Sequence, residues 1–143
     1  MVNNILLVDD EPLFHSIMED ACSLLNICLN LVSASNVAEA ETMFKSWQKG
    51  EEKKPEVVLV NTRLKGSSYD GIELIRKLNK EYGNGVVVGV IASYVDQSDM
   101  DKAQNVGAQF WIVRSHGIEA TLEQFNRDLD GYKAHTQVFR VYS

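Results

Sequence analysis

Four apolar runs in this chain stop at residues placed to do chemistry. Ile5-Leu6-Leu7-Val8 ends in Asp9, Asp10 and Glu11, and Val57-Val58-Leu59-Val60 ends in Asn61. Val87 to Ile91 ends in Ala92 and Ser93, and Trp111-Ile112-Val113 ends in Arg114 and Ser115. A carboxylate pair such as Asp9 and Asp10 is a hard oxygen donor set, suited to a divalent cation such as Mg²⁺. The same acids also suit the first turn of a helix, where they favour its dipole, so their spacing alone leaves both readings open. Asn61 offers one carbonyl oxygen and two N–H donors. An amide is no nucleophile at neutral pH, so covalent chemistry is not expected of it. Arg114 brings a planar cation that is always charged and suited to pairing with carboxylates.

These residues can meet only if the runs are strands of one sheet with their ends aligned. The patterning predicts strands over 4–9, 29–34, 57–61, 85–92 and 109–113. Their near-continuous Val, Ile and Leu content is that of strands buried on both faces. Between them lie amphipathic stretches. Pro12 marks a helix start, and Leu13, Phe14, Ile17, Ala21, Leu24 and Leu25 recur at helical spacing to about Asn26. Asn36 with Glu39 is a capping-box-like start for a helix to about Trp47. Asp70 with Glu73 opens another, ending near Gly83. A short polar helix is expected from Asp96 to Val106, stopped by Gly107, and a last one from Ile118 to about Leu129, stopped near Gly131. Five βα units in succession predict an α/β fold, a doubly wound five-stranded parallel sheet with helices on both faces. The expected strand order is the flavodoxin-like 2-1-3-4-5, with ligands at the carboxyl ends of the strands. Residues 1–131 form the expected domain. The tail 132–143, with Val138, Phe139, Val141 and Tyr142, reads as an extra edge strand, a stub towards an output region, or a contact for a dimer or partner.

Bulk properties narrow the function. At 143 residues, 45% hydrophobic and 24% charged, the chain has one ordinary globular domain's composition. A net charge of −6 repels phosphate backbones, so no direct nucleic-acid binding is expected. No apolar run is long enough to span a membrane, and "MVNNILLVDDE" lacks the basic start of a secretory leader. The two cysteines, Cys22 and Cys28, read as free thiols, and a cytoplasmic location fits. His15, His116 and His135 follow no metal-ligand spacing.

The segments "ILLVDDEP", Asp70-Gly71 followed by "IELIRKL", and "KAQNVGAQFWIV" make the chain resemble the receiver domain of two-component response regulators, from about Asn3 to Leu129. The resemblance implies a signalling module rather than an enzyme, working in a two-component system or phosphorelay. Receivers take a phosphoryl group from a phosphohistidine onto an aspartate at the end of the third strand, beside Mg²⁺ held by an acid pair. Carried over, the acid pair is Asp9 and Asp10, and the phosphoacceptor position falls on Asn61. Counted from Gly107-Ala108, the hydroxyl that bonds the phosphoryl group falls on Ala92 and the lysine on Arg114. The switch aromatic falls on Trp111, which reads as packing or a fixed partner surface rather than a moving part. The proline usual after the lysine is Ser115.

These departures predict an atypical pseudo-receiver. Without the third carboxylate no cofactor is required, and Asp9 and Asp10 would hold Mg²⁺ weakly at most. Ser93 is expected to point away from the crevice by strand alternation. Arg114 is expected to reach Asp9 or Asp10 and take the cation's place. The expected partner is a protein: a histidine kinase, an output protein or a second copy of the chain as a homodimer. It would bind the face made by the fourth helix, fifth strand and fifth helix. Two other readings stay open: a regulator that switches by another route, and a small-ligand module using the same crevice.

Overall fold

A computed structural model describes residues 3–64, 70–82, 85–114 and 117–143. Six strands form one parallel sheet: β1 (Asn3–Val8), β2 (Cys28–Ala34), β3 (Val57–Val60), β4 (Val87–Ala92), β5 (Phe110–Val113) and β6 (Arg140–Tyr142), ordered β2-β1-β3-β4-β5-β6. Five helices connect them: α1 (Pro12–Leu25), α2 (Val37–Gln48), α3 (Gly71–Lys77), α4 (Gln97–Asn105) and α5 (Ile118–Lys133). The chain therefore has the flavodoxin-like fold, with one strand more than the five expected. The sixth comes from the tail.

Alternation along the central strands builds two cores. Leu6, Val8, Val58, Val60, Val88, Val90 and Trp111 face α2, α3 and α4. Ile5, Leu7, Val57, Leu59, Val87, Ile91, Phe110 and Ile112 face α1 and α5. This is the period of two expected of a strand buried on both sides.

Local signals place most boundaries. Pro12 opens α1. The side chains of Asn36, Asp70 and Asp96 accept hydrogen bonds from the N–H groups of Glu39, Glu73 and Asp99, capping α2, α3 and α4. Three details differ from the sequence reading. The buried face of α1 is Phe14, Met18, Ala21 and Cys22, whereas Leu13 is 73%, Ile17 41% and Leu24 76% exposed. The third helix changes into a π-helical turn over Leu78–Tyr82. The last helix runs through Gly131 and ends at Lys133, because Gly131 carries helical backbone rather than a left-handed stop. The expected helix end at Gly83 lies outside the described residues.

β6 pairs with β5 in register, Phe110 with Arg140, Trp111 with Val141 and Ile112 with Tyr142. Tyr142 is fully buried against α5. Its hydroxyl donates to Asp128 Oδ2 at 2.5 Å and lies 2.8 Å from the hydroxyl of Tyr132, which must then donate to it. Arg140 Nη1 donates to the same Asp128 oxygen at 2.8 Å. The outer edge of β5, part of the expected partner face, is thus taken up by the chain's own tail.

Candidate functional site

The crevice lies where the carboxyl ends of β1, β3, β4 and β5 meet. Asp9 follows β1 and is wholly buried. Burying a carboxylate is costly unless its lone pairs are satisfied, and here they are. Oδ1 accepts from the Glu11 N–H at 2.8 Å, and Oδ2 accepts from Asn61 Nδ2 at 3.1 Å and Arg114 Nη1 at 2.8 Å. Its backbone carbonyl lies 2.6 Å from His15 Nε2. Asp10 and Glu11 line the crevice mouth.

Asn61 is held from both sides. Its backbone N–H continues the sheet to Val8 O at 2.9 Å. Its Oδ1 accepts from the Arg63 N–H at 3.0 Å, an Asx-type turn that starts the following loop. With the carbonyl oxygen so engaged, the NH₂ group must face Asp9. Gly71 closes the same corner: its N–H donates to Thr62 O at 3.0 Å. A Cβ at Gly71 would run into the carbonyl of Asn61. The Asp70-Gly71 pair therefore combines a helix cap with a close backbone approach beneath Asn61.

Arg114 spans the crevice. Nη1 reaches Asp9, Nη2 lies 3.3 Å from Glu11 Oε1, and Nε donates to Ser93 Oγ at 3.2 Å. Its guanidinium carbon sits 4.6 Å from the centre of the Phe14 ring, a cation–π contact. Its side chain is 13% exposed. Ala92 ends β4 with its methyl buried, and its carbonyl accepts from the Arg114 N–H at 2.8 Å. Trp111 is 1% exposed, packed in the core on the α4 side, and its Nε1 has no hydrogen-bond partner among the described residues. The cavity is about 200 Å³ and is lined also by Thr62, Arg63, Tyr94, Asp96 and Asp99.

The sequence-predicted residues Asp9, Asp10, Asn61, Ala92, Trp111 and Arg114 thus converge. Ser93 is a correction. It follows the last residue of β4, where strand alternation no longer applies, and it turns in to meet Arg114. Phe14 was read only as a core position of α1; its place under Arg114 had no local signal. Ser115 and His116 lie outside the described residues.

The donor set does not fit Mg²⁺. Asp9 Oδ2 already accepts two hydrogen bonds, one from a cation, and Asn61 presents N–H groups to it. A metal ion bound at Oδ2 would have to displace the Arg114 guanidinium or the Asn61 amide from it. Among the described residues no group of three or more His, Cys, Asp or Glu is arranged to hold a metal ion.

A parallel sheet ordered β2-β1-β3-β4-β5-β6, with a crevice at the carboxyl ends of its strands, defines the flavodoxin-like class of α/β domains, in which that edge is where ligands bind. Within that class the chain belongs to the response regulator receiver domain family, whose model matches residues 5–125. Among solved structures it is similar to a CheY-like receiver domain protein from Methanospirillum hungatei (18% identity, TM-score 0.75, covering 94% of this chain and 99% of that one). It is also similar to the phosphorylated cyanobacterial phytochrome response regulator RcpA (16%, 0.72, 96% and 98%). NtrX from Brucella abortus matches at 21% and 0.78 over 94% of this chain, which spans only 28% of NtrX. No match to a curated protein is found. The chain is thus a receiver domain of two-component signalling, and no helix among the described residues is long and apolar enough to cross a membrane.

Proposed function

We propose that this receiver signals through protein–protein contact without phosphorylation at Asn61, its crevice held in one state by Arg114. The contact of Arg114 with Asp9, alongside Asn61, supports this reading most directly. Phosphoryl transfer needs an oxygen nucleophile, a cation beside it and a hydroxyl to receive the phosphoryl oxygens. Asn61 lacks the nucleophile. Asp9, which would help hold the cation, is engaged by a guanidinium, and Ala92 has no hydroxyl. Ser93 has one, but its oxygen is already bonded to Arg114 Nε.

The partner would be a histidine kinase, an output protein or a second copy of the chain. Because β6 covers the edge of β5, the docking face would be built from α4, β6 and α5, on which Val138 and Val141 are exposed. The competing small-ligand reading draws less support: about 200 Å³ is below the range, from roughly 300 Å³, of ordinary ligand pockets.

Intact-mass measurement after incubation with a small phosphodonor and Mg²⁺ tests the proposal. No stable phosphoryl adduct is expected, and millimolar Mg²⁺ should leave tryptophan emission unchanged. A stable adduct at the crevice, or a saturable Mg²⁺ quench, would overturn it.

A further inference from the structure

At the opposite pole of the sheet from the crevice, the two cysteines form a site of their own. Helix α1 ends with Asn26 in the left-handed conformation, at φ 54°. This cap folds the chain back so that the Ile27 N–H donates to Cys22 O at 3.1 Å. The next residue, Cys28, opens β2 against the last turn of α1, so that Cys28 and Cys22 line one hollow. Here the β1–β2 register shifts: Asn3 pairs with Cys28 but Asn4 pairs with Asn30, passing over Leu29. Such a bulge re-aims the groups around it.

The two thiols are therefore unequal. The hydrogen bond from Cys22 holds the Cys28 thiol below its ordinary range; burial opposes this, and the Asn30 and Ile5 N–H groups reinforce it. Cys22 is pushed up by the hydrogen bond with Cys28 and by burial. Access is asymmetric too. Cys28 is half-buried and Cys22 buried, and both line an open hollow of about 460 Å³ with Ser23, Asn26 and Asn30. A half-buried thiol held below its ordinary range, opening onto a hollow that a second thiol also lines, is the arrangement of a reactive dithiol.

We propose that Cys28 and Cys22 form an oxidation site for hydroperoxides, with Cys28 as the attacking thiol and Cys22 as the resolving thiol. Cys28 sulfur attacks one peroxide oxygen, the O–O bond breaks, and water leaves as Cys28 becomes a sulfenic acid. Cys22 sulfur then attacks Cys28 sulfur and displaces the hydroxyl as a second water. Both thiol hydrogens end in water, hydrogen peroxide is reduced, and the disulfide joins the last turn of α1 to the first residue of β2.

The test uses the whole reduced chain and hydrogen peroxide. Intact mass should fall by two hydrogens in a monomer, with both thiols closed to alkylation until dithiothreitol restores them. In Cys22→Ser, peroxide should leave Cys28 as a sulfenic acid trapped by dimedone. In Cys28→Ser, Cys22 should stay unmodified. Before oxidation, N-ethylmaleimide at neutral pH should label Cys28 at least about tenfold faster than Cys22, since the thiolate is the reactive form. Equal labelling rates, unchanged mass after peroxide, or disulfides only between two chains would each overturn the proposal.

Discussion

Arg114 Nη1 and Asp9 Oδ2, 105 residues apart in the sequence, meet at 2.8 Å in the centre of the crevice, with the carboxylate wholly buried. The pair spans the sheet, from the end of β1 to the end of β5. Removing one partner leaves the other charge buried and alone, which is the costly way to break such a pair.

Arg114→Ala should therefore destabilise the chain by about 3 kcal/mol, at the low end for a buried pair because the guanidinium is partly solvated. Arg114→Lys should recover only part, since an ammonium cannot serve Asp9, Glu11 and Ser93 together. Urea unfolding of both variants, and of Asp9→Asn with and without Arg114→Ala, measures the coupling. Additive losses in that cycle would show that the pair is not a unit.

Asn61→Asp replaces a donor to Asp9 by a second carboxylate at the same 3.1 Å approach. Losing that hydrogen bond and adding like charge should cost about 1–3 kcal/mol at neutral pH. Ala92 and the engaged Arg114 remain, so this variant should accept phosphate poorly from a small donor. Rapid phosphorylation of the single variant would show that the remaining machinery is intact.

Two glycines stand where a methyl group has no room. A Cβ at Gly71 meets the Asn61 carbonyl, which is backbone and cannot yield, and one at Gly89 meets the Phe110 ring. Either alanine variant should lose about 1–3 kcal/mol. Only Gly71→Ala should also disturb Asn61, visible as a shift in its side-chain amide resonances. A resonance shift of equal size in Gly89→Ala would argue against that local account.

The tail is expected to be part of the core. Tyr142→Phe loses the hydroxyl that links Tyr132 to Asp128 and should cost about 1–2 kcal/mol. Deleting residues 138–143 should cost more and uncover the edge of β5, so that self-association rises with concentration. Sedimentation velocity on the truncated chain distinguishes this from a tail that merely lies alongside.

Alkaline pH should unfold the chain through the same cluster. Burial first, then the bonds with Asp128 and Tyr132, raise the Tyr142 hydroxyl well above its ordinary value, and burial raises Tyr132 as well. Groups raised on folding favour the folded state while protonated. Their contribution is complete below the unfolded tyrosine value, about 10, and is lost as pH rises beyond it. Tyrosinate absorbance should therefore fall short of the count of five tyrosines until the chain unfolds. A full tyrosinate signal from the folded chain at pH about 11 would refute this.

Much of this was legible in the residues because the central strands are short, apolar and buried on both faces, and α2, α3 and α4 each start at a residue that caps them. Asp9, Asn61, Ala92 and Arg114 could be placed by strand ends alone, and Trp111 by the resemblance to receiver domains. What escaped was decided by tertiary contact. On α1 two apolar stripes compete, and only the sheet determines that Met18 and Cys22 go inward while Leu13 and Leu24 stay out. Ser93 turns in because Arg114 is there to meet it. Gly131 stays helical because the tail folds back beside it, with Gln137 Cβ at 3.1 Å from where its side chain would begin. None of these has a local signature.

The direction of β6 also matters to anyone attaching a label. A chain leaving α5 would depart from the pole that holds Cys28. Since β6 runs parallel to β5, Ser143 instead emerges one step beyond Tyr142, level with Val113 and next to Arg114. A fluorophore or binding tag joined to Ser143 would stand at the rim of the crevice, a near-field probe of Arg114 and its neighbours.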